Sequence, residues 1–79
     1  NVDVTAGGAL VNDGGELGST TAATTIHSAS LSNLNGKIVS PPLTATVAGL
    51  LDNSQNGDFE AKPRALTAAN LKNQGGHIS

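Results

Sequence analysis

One short phrase is written four times in this chain, in step. The copies are Leu10-Val11-Asn12-Asp13-Gly14-Gly15-Glu16-Leu17, Leu31-Ser32-Asn33-Leu34-Asn35-Gly36-Lys37-Ile38, Leu51-Asp52-Asn53-Ser54-Gln55-Asn56-Gly57-Asp58-Phe59 and Leu71-Lys72-Asn73-Gln74-Gly75-Gly76-His77-Ile78. Each reads Leu-x-Asn, then a turn-forming pair ending in Gly, then one polar and one apolar residue. The third copy carries one extra residue before the turn. The asparagines fall at 12, 33, 53 and 73, so the steps are 21, 20 and 20 residues. A fixed period in this range marks a solenoid, in which no unit buries a core alone and each is stabilised by its neighbours.

The central turn pairs are Gly14-Gly15, Asn35-Gly36, Asn56-Gly57 and Gly75-Gly76. Gly and Asn adopt positive φ most cheaply, so every unit asks for the same left-handed kink at the same place. Such pairs also favour two-residue hairpins, which makes an antiparallel meander the rival architecture. The meander explains the turns. It does not explain why Leu and Asn recur in phase with them. Stacked as coils, the repeats line up one core row, Leu10-Leu31-Leu51-Leu71, and a second, Leu17-Ile38-Phe59-Ile78. Ser28, Ala48 and Ala68 form a small-residue row beside them, with Ala6 one place out of phase.

The rest of the composition agrees with thin, repeated layers. The chain has 79 residues, one aromatic and no Cys, Met, Trp or Tyr, and 37% of it is hydrophobic. A compact globule of this size is marginal, and the disulfide staples that rescue small domains are not possible here. Charged residues are 13%, against ~25% in typical soluble domains. The net charge of −2 comes with no basic patch, so a nucleic-acid partner lacks its electrostatic footprint. No apolar run approaches the ~20 residues that span a bilayer.

In order, the units are approximately 1–19, 20–40, 41–61 and 62–79, a single repeat array read as a piece of a longer shaft. Val2-Asp3-Val4-Thr5-Ala6 alternates like a half-buried strand, interrupted by Gly7-Gly8. Thr20–Thr25 is Thr- and Ala-rich, and Thr25–Leu31 alternates loosely. Leu43–Val47 alternates cleanly behind Pro41-Pro42, and Leu66-Thr67-Ala68 follows Pro63. Proline cannot donate to a ladder and belongs at strand starts and corners.

The asparagine column is the most specific side-chain signal. Its expected role is structural: a stacked amide ladder that bonds the next coil or satisfies the turn backbone. Glu16, Lys37, Asp58 and His77 follow the turns and form an alternating charged edge, with exposed neighbours attracting by ~0–1 kcal/mol. His27 and His77 stand in different phases of the repeat, which argues against a shared metal, and no cofactor is expected. Asp52 and Lys72 stack over Ser32 and Val11 as a surface column. Arg64 is the only Arg. Converging carboxylates of the kind a polysaccharide-cleaving β-helix needs are not apparent, so no catalytic residue is assigned. The residues that define the repeat are Leu10, Asn12, Gly15, Leu17, Leu31, Asn33, Gly36, Ile38, Leu51, Asn53, Gly57, Phe59, Leu71, Asn73, Gly76 and Ile78.

The phrase, with the Leu-Thr-Ala lead that precedes it at Leu66-Thr67-Ala68-Ala69-Asn70 and Leu43-Thr44-Ala45-Thr46-Val47-Ala48-Gly49, resembles the haemagglutinin repeats of filamentous haemagglutinin-type adhesins. The strongest match is Ala65–Ile78, and the likeness runs through all four units. The resemblance implies an all-β, right-handed parallel β-helix of about four coils. It implies a large exoprotein of a Gram-negative bacterium, secreted through an outer-membrane partner pore to the cell surface. It also implies attachment to host cells through glycan or receptor ligands. The lack of Cys suits a chain that threads a pore unfolded. No Arg-Gly-Asp and no heparin-type basic run occurs here, so the expected role is that of shaft, with a glycan- or filament-binding face as the alternative.

Overall fold

The computed structural model describes residues 2–18, 21–40, 42–61 and 64–78, Arg64 through its backbone alone. The elements are strands: β1 (Val2–Val11), β2 (Glu16–Gly18), β3 (Thr24–Ser32), β4 (Lys37–Val39), β5 (Leu43–Asp52), β6 (Asp58–Glu60), β7 (Arg64–Lys72) and β8 (His77–Ile78). They form two four-stranded sheets, β1-β3-β5-β7 and β2-β4-β6-β8. Every pairing is parallel. A long strand, a turn, a short strand and a return segment make one coil, and the coils stack as a parallel β-helix. The shortest extent of the molecule, 19 Å, matches four coils at ~4.8 Å each.

The parallel pairings exclude the hairpin meander. In a hairpin, the strands on either side of an Asn-Gly turn bond each other; here β1 and β2 lie in different sheets. Each turn is therefore a corner. It is closed by a bond from the glycine that ends the pair to a residue three back, as in Gly15 N–H to Asn12 O at 3.0 Å and Gly36 N–H to Asn33 O at 3.2 Å. The third coil absorbs its extra residue within the corner: Gln55 and Asn56 both take positive φ, 54° and 67°, and Gly57 bonds Ser54 O instead. The strands beyond stay in register, with Lys37, Asp58 and His77 aligned.

Leu10-Leu31-Leu51-Leu71 and Leu17-Ile38-Phe59-Ile78 are aligned columns. In the two inner coils these side chains are fully buried, and in the outer coils they are partly covered, down to Leu71 at 56% exposed. Leu71 continues the row in register, yet no described coil lies beyond β7 to cover it. Further inner columns join Val4, Ile26, Ala45 and Leu66, and Val2, Thr24 and Leu43. Each fully buried Leu, Ile or Phe contributes roughly 1.5–3 kcal/mol, so stability is concentrated in the middle of the stack.

Two details of the sequence reading change. Gly7-Gly8 does not interrupt the first strand: β1 runs through it as a bulge, the register slipping between Ala6 and Ala9. Equivalent slips occur between Ser28 and Leu31 and between Val47 and Leu50. Because of them the small column is Ala6-Ser28-Val47-Ala68, with Val47 buried and Ala48 exposed. Counting back from Leu misses this, since coils one and three hold one more residue in the bulge than coils two and four. The Thr-rich stretch before β3 gives bends at Thr21 and Ala22 and then strand from Thr24. The unit boundaries at 19–20, 41 and 62, with Pro41 and Pro63, lie outside the described residues.

Candidate functional site

The most organised polar feature is the corner. Asn12 Nδ2 donates to Asn33 Oδ1 at 2.8 Å, Asn33 Nδ2 to Asn53 Oδ1 at 2.7 Å, and Asn53 Nδ2 to Asn73 Oδ1 at 2.9 Å. The remaining amide proton reaches a backbone carbonyl at the start of the next coil's short strand: Lys37 O at 3.0 Å, Asp58 O at 3.2 Å and His77 O at 3.0 Å. Asn33 and Asn53 are fully buried. A buried amide is costly unless its groups are paired, and this column pairs them coil to coil.

The ladder also accounts for the glycine that ends each corner pair. Positive φ falls on the residue before it: Gly14, Asn35, Asn56 and Gly75. At Gly36 and Gly57 a Cβ would stand 2.5 Å from the Oδ1 of Asn33 and Asn53. It would also run into the backbone carbonyl of the Asn one coil before, as it would at Gly76. The first residue of each pair is thus chosen for conformation and the second for space.

Three further polar side chains, two at the corners and one on the return side, have contacts that escaped the sequence reading. Asp13 Oδ1 accepts from Ser32 Oγ at 2.6 Å and from the Leu34 N–H at 2.9 Å, tying the first corner to the second. Ser54 Oγ accepts the Gln74 N–H at 3.0 Å, from the same position of the third coil. On the return side, the buried Ser40 hydroxyl lies 2.9 Å from Ala22 O and 2.8 Å from Pro42 O, and its one proton serves these two carbonyls. The signal for the first two is a small polar residue directly after the Asn. Ser40 has no counterpart in the repeated phrase, so its role emerges only when Ala22 and Pro42 are brought beside it.

The outer face of the short sheet carries Glu16, Lys37, Asp58 and His77 in one column. The expected rung-to-rung pairing is redirected. Lys37 Nζ lies 3.3 Å from Glu60 Oε2, a diagonal partner two residues beyond Asp58. Hydrogen bonding and charge from Glu60 raise the Lys37 pKa above its usual 10.5, with Glu16 and Asp58 adding to the same direction. Both side chains of the pair are nearly half exposed, 47% and 45%, so the pair is a weak contributor to stability. One oxygen of Asp58 is buried without a hydrogen-bond partner among the described residues. Asp58 also lines an open depression of about 240 Å³, with Asn56, Gly57, Gly75, Gly76 and His77.

The second charged column, Val11-Ser32-Asp52-Lys72, is also in register. Asp52 Oδ1 accepts the Ser54 N–H at 3.1 Å and so supports its own corner. The outer face of the long sheet carries Asp3-Thr25-Thr44-Ala65 and Thr5-His27-Thr46-Thr67. Beside the bulges this face forms a shallow basin of about 380 Å³, bordered by Thr5, Gly7, His27, Ala29, Thr46 and Ala48. His27 is on the long sheet and His77 on the short one, and no group of three or more His, Asp or Glu able to hold a metal ion exists among the described residues. No helix of the described residues is long and apolar enough to cross a membrane.

Both depressions are open and shallow, and the acidic groups are dispersed over several columns. Such surfaces can present hydroxyls, an imidazole and single charges to a large flat partner. They do not converge polar groups on one reacting atom. Compared with known proteins, the chain finds no match: no family model, no curated protein and no solved structure is similar to it at a significant level.

Proposed function

We propose that this chain is a structural segment of the shaft of a secreted filamentous bacterial adhesin, without enzymatic activity of its own. The observation that supports this reading is the division between corner and face. The Leu, Asn and Gly positions repeat in every coil and are used to stack one coil on the next. The outer column Glu16-Lys37-Asp58-His77 changes residue type at every coil, and Asp3-Thr25-Thr44-Ala65 and Thr5-His27-Thr46-Thr67 hold no residue common to all four. A chain organised in this way serves length and rigidity, carrying ligand-binding parts away from a cell surface. Host-cell glycans or receptors would be engaged through the parent protein, and a partner pore in the outer membrane would pass the chain unfolded.

The test is attachment. Beads carrying the 79-residue chain should bind cultured epithelial cells and a glycan array no better than uncoated beads. Specific binding would sink the shaft reading. A second reading is favoured by the two open depressions on the outer faces: a module whose exposed face contacts glycans or another filament. It requires binding that is lost when Glu16, Lys37, Asp58 and His77, or Thr5, His27 and Thr46, are replaced without loss of the β-sheet signal.

A further inference from the structure

Two corners carry a reactive pair that the repeat does not need. Asn35 and Asn56 alone among the asparagines precede a glycine. Both are exposed and take positive φ, 54° and 67°. In the first and fourth corners Gly14 and Gly75 hold the same position at 66° and 74°, so the conformation asks for no side-chain amide there. An Asn-Gly pair is open to ring closure, because glycine has no Cβ to shield its backbone nitrogen from the amide carbon before it. The ladder asparagines differ. They are followed by Asp13, Leu34, Ser54 and Gln74, whose side chains crowd that approach, and Asn33 and Asn53 are buried as well.

We infer that Asn35 and Asn56 are latent deamidation sites, with water as the co-reactant, and that coil stacking holds the reaction off. The Gly36 nitrogen gives up its proton and attacks the side-chain carbonyl carbon of Asn35. A C–N bond forms, a five-membered imide closes, and the amide nitrogen leaves as ammonia with that proton. Water then breaks one of the two imide C–N bonds, leaving aspartate or β-linked isoaspartate. Gly57 and Asn56 react in the same way. In the stack the attacking nitrogens are engaged: Gly36 N–H donates to Asn33 O at 3.2 Å and Gly57 N–H to Ser54 O at 3.1 Å. Both glycines are buried, and their carbonyls accept from the next coil, Gly36 O from Asp58 N–H at 2.9 Å and Gly57 O from His77 N–H at 2.8 Å. Turning either nitrogen toward the amide carbon therefore requires coils to part. Isoaspartate runs the main chain through its Cβ and lengthens a corner whose glycine already lies against the Asn carbonyl of the preceding coil. A chain modified in this way does not close that corner again. The inference rests on the corners and not on the adhesin reading.

Peptide mapping by mass spectrometry tests this on the 79-residue chain, kept at mildly alkaline pH in buffer and in concentrated urea, with circular dichroism of each sample. In urea, Asn35 and Asn56 should convert to aspartate and isoaspartate well ahead of Asn12, Asn33, Asn53 and Asn73. In buffer both should react at least about tenfold more slowly, at a rate set by the fraction of chains whose coils have parted. Leu51→Ala loosens the stack and leaves the residues of both corners in place. It should raise the buffer rates about tenfold, toward the urea values. Asn35→Gly should end the reaction at its own corner, leave that at Asn56 unchanged and keep the sheet signal. Equal rates in buffer and urea overturn the inference. So do ladder asparagines that convert in urea as fast as Asn35 and Asn56, or buffer rates that Leu51→Ala does not move.

Discussion

At the residue scale, the corner glycines separate two demands that look identical in sequence. Gly57→Ala places a methyl 2.5 Å from the Asn53 amide oxygen and into the Asn33 carbonyl. The first cannot retreat without breaking a ladder bond, nor the second without breaking the Gly36 N–H bond that closes its corner, so a loss of about 3 kcal/mol or more is expected in urea unfolding. Gly8→Ala meets nothing within 4 Å and needs no positive φ. It should be neutral or stabilising by about 0.4–1 kcal/mol, through the unfolded chain. Asn33→Ala removes two links of the ladder, the one it accepts from Asn12 and the one it donates to Asn53, leaving the buried Asn53 Oδ1 and Asp58 O short of a donor. Each buried group orphaned in this way costs about 1–3 kcal/mol, a loss that the same urea titration would register. Lys37 offers a pH test. Its pKa is raised by Glu60, so the pair's contribution is complete below the usual 10.5 and fades as pH rises through the higher folded value. Glu60→Gln should move the Lys37 titration, followed by nuclear magnetic resonance of the side chain, back toward 10.5; an unmoved titration would refute the assignment to Glu60.

At the scale of the element, the same residue type should weigh differently by coil. Leu51 is fully buried between coils, and Leu71, in the same column, is 56% exposed. Leu51→Ala should cost about 2–5 kcal/mol, the range for buried leucine, and Leu71→Ala well under half of that. Equal losses at the two positions would contradict the register. Leu31→Asp or Leu51→Asp should abolish folding by burying an unpaired charge. The register slips at the bulges of β1 and β5 explain why these columns were only partly readable. Alternation located the strands and the Leu rows. One extra residue between Ala6 and Leu10, and between Val47 and Leu51, moved the small column to Val47, a shift that spacing alone does not reveal.

For the whole molecule, a stack of coils in nearest-neighbour contact predicts stability that grows with coil number. Arrays of four, six and eight such coils should show a urea midpoint that climbs with length. A flat midpoint would mean a self-contained domain and would remove the basis for reading the chain as a shaft. The outer faces became legible only at this scale. Thr5, His27, Thr46 and Thr67 share a column because parallel pairing aligns them, although they carry no common spacing from the Leu-Asn phrase.

By itself the sequence determined the repeat, its four corners, the two apolar rows and the asparagine column, because a coil that must stack on its own likeness writes the same residue at the same phase. The tertiary structure decided what local chemistry leaves open. An Asn-Gly or Gly-Gly pair serves a hairpin or a corner equally well, and only the pairing of β1 with β3 rather than β2 makes it a corner. The partner of Lys37, the acceptors of Ser40 and the direction of the amide ladder depend on groups that meet only once the coils are stacked.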